Sequence, residues 1–176
     1  RDSVASRGLG DVYKRQGKIA AVTMALDVAK AVLAVLIARL VIGTTEADVI
    51  AGLLVLVGHN WPVFLGFRGG RGIATGAGAL TMLAPISAGL GMIGFISATF
   101  TSRYVSLGSI TGVIAATLAL LTLDILGYSP TPYTLYGFLG GAIIIWQHRD
   151  TIQRIRDGNE RRLGPPSAPV PADSQS

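Results

Sequence analysis

Apolar residues run through this chain in long blocks, separated by short polar stretches that differ in charge. Residues 18–42 form the first block, long enough at about 1.5 Å per residue to cross a hydrocarbon core of about 30 Å. After the acidic linker 43–48 (GTTEAD), residues 49–67 form a second block, which ends in the glycine-rich, basic loop 68–72. The stretch 73–102 has no Asp, Glu, Lys or Arg and is followed by Arg103. Residues 104–123 form another uncharged block and 130–147 the last, which runs into 149–162 with its five arginines. As one helix, 73–102 would measure roughly 45 Å, too long for one crossing, whereas two full spans need about 40 residues. Pro85, with Gly89, Gly91 and Gly94 behind it, predicts a break. Two short helices, 73–84 and 86–102, then fold as a hairpin or re-entrant pair. The pattern as a whole predicts an all-α, polytopic membrane bundle of about six apolar helices.

Composition agrees. Half of the residues are hydrophobic and 14% are charged, against about 25% charged in soluble domains. The mean hydropathy is +0.53. The absence of cysteine excludes a disulfide-built module, a zinc–cysteine site and a thiol nucleophile. The net charge of +5 does not indicate nucleic-acid binding, because the basic residues lie between and beside apolar blocks, as in cytoplasmic loops of membrane proteins. The arginine-rich segment 149–162 is therefore expected inside, the 124–131 connection outside, and the 68–72 loop inside with Arg103. Residues 1–16 (RDSVASRGLGDVYKRQ) have four basic and two acidic residues and no apolar period, and read as a non-native leader. Without them 11 basic residues face 8 acidic ones, a net +3. The domain is then expected over 17–163, with a disordered Pro-rich tail at 164–176.

The unusual polar groups gather at one side of this map. Gly58-His59-Asn60-Trp61-Pro62 stands just before Arg68-Gly69-Gly70-Arg71-Gly72, which opens the helix at 73. Glycine-rich backbone at a helix N-terminus offers free N–H groups and a positive dipole end to an anion, and two arginines add bidentate contacts suited to phosphate. With Thr75 nearby, this is a candidate phosphate site. It is not a Walker A loop, since no Lys-Ser/Thr follows the second glycine, so nucleotide hydrolysis has little support. His148, Arg149, Asp150, Thr151, Arg154, Arg156 and Glu160 form a second cluster at the end of the last span. His148 borders an apolar span that excludes water, which suits a general base or a hydrogen-bond donor. Both histidines, His59 and His148, map to the same face. Asp27 and Lys30 lie inside the first span, three residues apart on one helix face, where charges need partners. Two other readings stay open: a small transporter or anion-binding membrane protein, and a structural protein whose arginines anchor anionic lipids.

The stretch 58–75, GHNWPVFLGFRGGRGIAT, resembles the second motif of the bacterial membrane glycerol-3-phosphate acyltransferases that use acyl phosphate, the PlsY family. Residues 148–160, HRDTIQRIRDGNE, are similar to that family's third motif, and 17–40, with its Asp-x-x-Lys, to the helix after its first motif. The resemblance implies a seven-helix inner-membrane protein with its active site and C-terminus facing the cytoplasm. It implies acyl transfer from acyl phosphate to the 1-hydroxyl of glycerol 3-phosphate, giving lysophosphatidic acid and phosphate, with no cofactor or metal. Arg68, Gly69, Gly70, Arg71, Gly72, Thr75 and Arg149 would hold substrate phosphate, and His148, Thr151 and His59 would line the reacting centre. Asp27, Lys30, Asn60 and Glu160 would support them. Arginines stand where the family commonly has lysines at 68 and 71, and Thr151 where it usually has Asn. The family's first helix and its Ser/Asn/Gly-rich first motif would precede Gly17.

Overall fold

The computed structural model describes residues 2–160, 162 and 163, and side chains from residue 17 onward. The described residues form seven α-helices and no strands: α1 Asp2–Val41, α2 Thr45–Asn60, α3 Ile73–Leu83, α4 Pro85–Ser102, α5 Val105–Ile125, α6 Thr131–Gln147 and α7 Arg149–Arg156. Four segments are long and apolar enough to span a membrane: Gly17–Val41, Thr45–Leu65, Pro85–Ser102 and Val105–Ile125. The protein is a multi-pass membrane bundle. Large apolar side chains such as Leu40, Ile93, Phe100 and Leu118 point outward, as lipid requires.

Helix boundaries follow local chemistry. Thr44 caps α2, its hydroxyl accepting the Ala47 N–H at 3.2 Å, and Glu46 and Asp48 fall in the first turn, where the helix dipole favours acids. The polar run 43–48, expected as a linker, is therefore partly helix. The second apolar block stops being α-helix at Asn60, because Pro62 disfavours helical backbone before it; a 3-10 turn, Val63–Leu65, follows. The break in 73–102 falls at Ala84, with Pro85 as the first residue of α4. Helix α1 begins at Asp2 and passes Gly17 without interruption. The expected tail 164–176 lies outside the described residues, as does Arg161.

Close packing comes from small residues, which let membrane helices approach where side-chain volume would hold them apart. Gly91 and Gly94 of α4 face Gly112, Ala115 and Ala116 of α5, and a Cβ added at Gly112 would stand 2.9 Å from the Gly91 carbonyl. Gly78 of α3 lies against Val28 of α1, 2.7 Å from its carbonyl on the same measure. Thus α3 packs on α1 while α4 packs on α5, and the two arms of the broken segment part from Ala84. Between them runs an apolar groove of about 460 Å³, lined by Val28, Ala77, Leu80, Phe95, Gly112 and Tyr136 among others. The core proper (Ala31, Val35, Val49, Ala79, Leu80, Leu120 and Tyr136) lies between α1, α2, α3, α5 and α6.

At the bundle end marked by Val41, Ala84 and Pro130, a polar lock joins four helices. Arg39 of α1 donates to Asp48 Oδ2 of α2, at 2.9 Å from Nε and 2.7 Å from Nη2, and to the Met82 carbonyl of α3 at 2.8 Å. Tyr133 of α6 donates to the same carboxylate at 3.2 Å. Asp48 is buried, so its charge depends on these donors.

Candidate active site

The opposite end carries the residues singled out by their sequence pattern. Consecutive left-handed residues, Gly66 (φ 60°) and Phe67 (φ 61°), reverse the chain after the 3-10 turn, and the Phe67 N–H donates to the Pro62 carbonyl at 3.0 Å. The 68–72 loop is thereby folded back over the end of α2. There the Gly70 N–H donates to the His59 carbonyl at 3.2 Å. A side chain at Gly69 would collide with the His59 carbonyl, and one at Gly70 with the His59 ring. At Gly72 (φ 80°) a Cβ would stand 2.7 Å from Asn60 Oδ1. The three glycines are required by close approach, and the last also by backbone conformation.

Beneath the loop, Asn60 and Thr75 are buried, and neither side chain has a hydrogen-bond partner among the described residues. Arg68 and Arg71 are exposed above it. Asp27 and Lys30 pair with each other at 2.6 Å, and Lys30 also meets His59 Nδ1 at 2.7 Å.

The second cluster closes on the first. His148 ends α6, 2% exposed, with Nδ1 2.8 Å from the Ile144 carbonyl. A carbonyl only accepts, so Nδ1 carries the hydrogen and Nε2 of the neutral ring is left as an acceptor. Burial holds the imidazole below its ordinary 6.5; the Ile144 hydrogen bond opposes this, and the nearby Arg71 charge adds to the lowering. Thr151, fully buried, accepts from Arg154 Nη2 at 2.8 Å, and Arg154 Nε donates to Glu160 Oε2 at 2.8 Å. Glu160 also accepts from Ser106 at the start of α5. The Ser106 hydroxyl and Arg154 hold its carboxyl below the ordinary 4.5. Arg71, Arg154, Asn159 and Glu160 line a cleft of about 330 Å³, at the small end of the range for ligand pockets, about 300–1,000 Å³.

A polar cleft with two arginines thus stands at the end of an apolar bundle, in a region that also holds a buried histidine and a glycine-tight loop. A family profile described as "Glycerol-3-phosphate acyltransferase" matches residues 7–158. The chain belongs to the glycerol-3-phosphate acyltransferase family. It is 43% identical over 169 residues to "Glycerol-3-phosphate acyltransferase 3" of Dehalococcoides mccartyi, covering 89% of this chain and 78% of that one. A glycerol-3-phosphate acyltransferase of Thermoanaerobacter sp. is 42% identical over 150 residues, covering 84% and 72%. The fold is similar to crystal structures of PlsY, an integral membrane glycerol 3-phosphate acyltransferase, in a lysophosphatidic acid form and a glycerol 3-phosphate form. Each superposes with a TM-score of 0.76 at 35% identity over 84% of this chain, covering 74% and 72% of those chains.

Within this member of the acyltransferase family, Arg71 and Glu160 are the candidate residues that line the cleft; His59, His148, Thr151, Thr75, Arg68 and the loop glycines are not in its lining. Arg149 is exposed: its guanidinium stacks over Trp146 at 5.4 Å from the ring centroid and lies 3.7 Å from Asp150. Arg154, three residues beyond Thr151, lines the cleft instead. Sequence reasoning left out Ser106, which sits 54 residues from its partner Glu160. It also missed a strap in which Arg162 donates to the Tyr104 hydroxyl at 2.8 Å and the Leu163 N–H to the Arg103 carbonyl at 2.7 Å. Only the clustering of polar residues at 102–106, between two apolar blocks, hinted at either.

Proposed function

We propose that this chain transfers a fatty acyl group from acyl phosphate to the 1-hydroxyl of glycerol 3-phosphate, yielding lysophosphatidic acid and inorganic phosphate. One observation carries this reading: the polar cleft and the apolar groove adjoin. Ile73 follows Gly72 of the loop, Val105 precedes Ser106, and Ile144 supplies the carbonyl that holds His148; all three line the groove. A phosphate-binding head joined to an apolar trench fits an acyl phosphate donor and an amphiphilic product, with the acyl chain lying between α3 and α4.

In this mechanism the 68–72 loop and its arginines, with Arg154, neutralise the substrate phosphates and hold hydroxyl and acyl carbonyl together. The glycerol oxygen attacks the carbonyl carbon, the carbon–oxygen bond to phosphate breaks, and phosphate leaves. His148 hydrogen-bonds in the reacting region, while the proton of the attacking hydroxyl passes to a phosphate oxygen of the substrate and departs with the phosphate. No covalent enzyme intermediate and no cofactor enters. Thr151 acts by fixing Arg154, a task one hydroxyl acceptor performs. The site end faces the cytoplasm of the bacterial inner membrane, in keeping with the basic loops gathered there.

The test is stoichiometry. Membranes carrying this chain, alone and in a form extended upstream from its genomic locus, are supplied with acyl phosphate and glycerol 3-phosphate. One inorganic phosphate released per 1-acyl product is expected. Phosphate release without acyl product, in both forms, would refute the transfer. No turnover of any kind would favour the anion-binding or transport reading.

A further inference from the structure

Lys30 stands inside the first apolar block and reaches from α1 to the last turn of α2. Its Nζ lies 2.6 Å from Asp27 Oδ1 and 2.7 Å from His59 Nδ1, while Asp27 Oδ1 is 3.3 Å from that ring nitrogen. An ammonium group has three donors and no acceptor. At the shorter of the two ring contacts, His59 Nδ1 therefore accepts from Lys30, and the ring hydrogen sits on Nε2. That nitrogen is turned toward Gly70, where an added Cβ would meet Nε2 first and Cε1 at 2.7 Å. The carbonyl of the same histidine accepts the Gly70 N–H. His59 thus supports the glycine loop with both its main chain and its ring, and Gly70 lacks a side chain because the ring occupies that space.

The Asp27–Lys30 pair, three residues apart on one helix, is complete without His59; the further reach of the ammonium to the ring is what a structural pair alone does not require. His148 shows the opposite arrangement, with Nδ1 donating to a carbonyl and Nε2 left as acceptor. The two histidines therefore differ in tautomer: one presents a donor to the loop, and the other keeps its Nε2 as an acceptor.

We propose that Asp27 and Lys30 are positioning residues for the phosphate loop, setting the tautomer and rotation of His59 so that its Nε2–H side backs the loop at Gly70. This rests on the reading that the 68–72 loop holds glycerol 3-phosphate. With only two histidines in the chain, ring-¹⁵N labelling of the protein in detergent micelles resolves both, and a His148→Gln variant assigns them. The expected wild-type result is Nε2–H for His59 and Nδ1–H for His148, with glycerol 3-phosphate shifting the His59 Nε2 resonance. Lys30→Met should leave His59 as a mixture of tautomers. It should raise the KM for glycerol 3-phosphate at least tenfold while kcat changes less than threefold and the KM for the acyl donor holds; Lys30→Arg should restore most of the loss. An Nδ1–H tautomer at wild-type His59, or no response of its ring to glycerol 3-phosphate, overturns the proposal even where Lys30→Met does not fold. So does a folded Lys30→Met protein with unchanged tautomer and KM. An inactive wild type that shows the Nε2–H tautomer, the ligand shift and the loss of that tautomer in Lys30→Met would refute the acyl-transfer reading and support the positioning role.

Discussion

Gly72 is held by two constraints that can be separated by substitution. Its φ of 80° puts an L side chain in the left-handed region, at a cost of about 1–2 kcal/mol. A Cβ there would also press on Leu56 at 2.5 Å and Asn60 Oδ1 at 2.7 Å, in a core where overpacking costs about 1–3 kcal/mol. Gly72→Ala should therefore lose about 2–5 kcal/mol in all. Gly66 has the same kind of backbone (φ 60°) but open space around it, so Gly66→Ala should lose only the first part, about 1–2 kcal/mol. Gly58, in the helical part of α2 with nothing near it, should gain from alanine by about 0.5–1 kcal/mol. Equilibrium unfolding of the purified proteins in mixed micelles, driven by increasing detergent denaturant, measures all three. Because Gly72 joins the loop to α3, its variant should also show a raised KM for glycerol 3-phosphate, which Gly58→Ala should not. A Gly72→Ala protein no less stable than Gly66→Ala would refute the close approach of the loop to Asn60.

Three further outcomes follow from the same geometry. In the proposed mechanism Arg71→Ala removes a charge-assisted phosphate contact, worth about 1.5–3 kcal/mol, so glycerol 3-phosphate binding by calorimetry should weaken roughly 10- to 150-fold; unchanged affinity would remove Arg71 from the site. His148 and Glu160 are both held below their ordinary values, so the folded protein binds fewer protons than the unfolded chain as the medium is acidified. Stability should be full above pH 6.5, fall as the unfolded histidine takes up its proton below that, and fall again as Glu160 protonates below 4.5. Thermal midpoints that stay flat from pH 8 to 4 would contradict this. At the other end of the bundle, Arg39→Met strands the buried Asp48 carboxylate and should cost about 3–5 kcal/mol, with the Arg39→Met, Asp48→Asn double variant recovering much of it. Additive losses in that pair would show that the two side chains do not act together.

The helices were legible because each is an uninterrupted apolar run bounded by charge, glycine or proline, and lipid leaves the backbone few alternatives to helix. The break at Ala84 was legible for the same reason: thirty uncharged residues are too many for one crossing, and Pro85 marks where the chain yields. That the glycine–arginine loop opens a helix could be read from local pattern, and α3 begins at Ile73 directly after it. What local pattern does not carry is pairing between distant charges. Asp48 reads as one acid in a polar linker, yet it is buried against Arg39 and, 85 residues away, Tyr133. Lys30 and His59 are 29 residues apart, and Ser106 and Glu160 are 54 apart, so neither contact has a periodic signature. The choice of Arg154 over Arg149 for the cleft depends on how α7 turns after His148, since Arg149 finds Trp146 on its own side.

The identity of the acyl donor tests the account most directly. Membranes bearing this chain would be given glycerol 3-phosphate with acyl phosphate, acyl-CoA or acyl carrier protein thioester at equal concentration, and 1-acyl product followed. Product from acyl phosphate alone is the expected result, since the cleft beside the groove offers arginines for a donor phosphate. Product from a thioester at a comparable rate would contradict the proposed role of that phosphate in placing the acyl group.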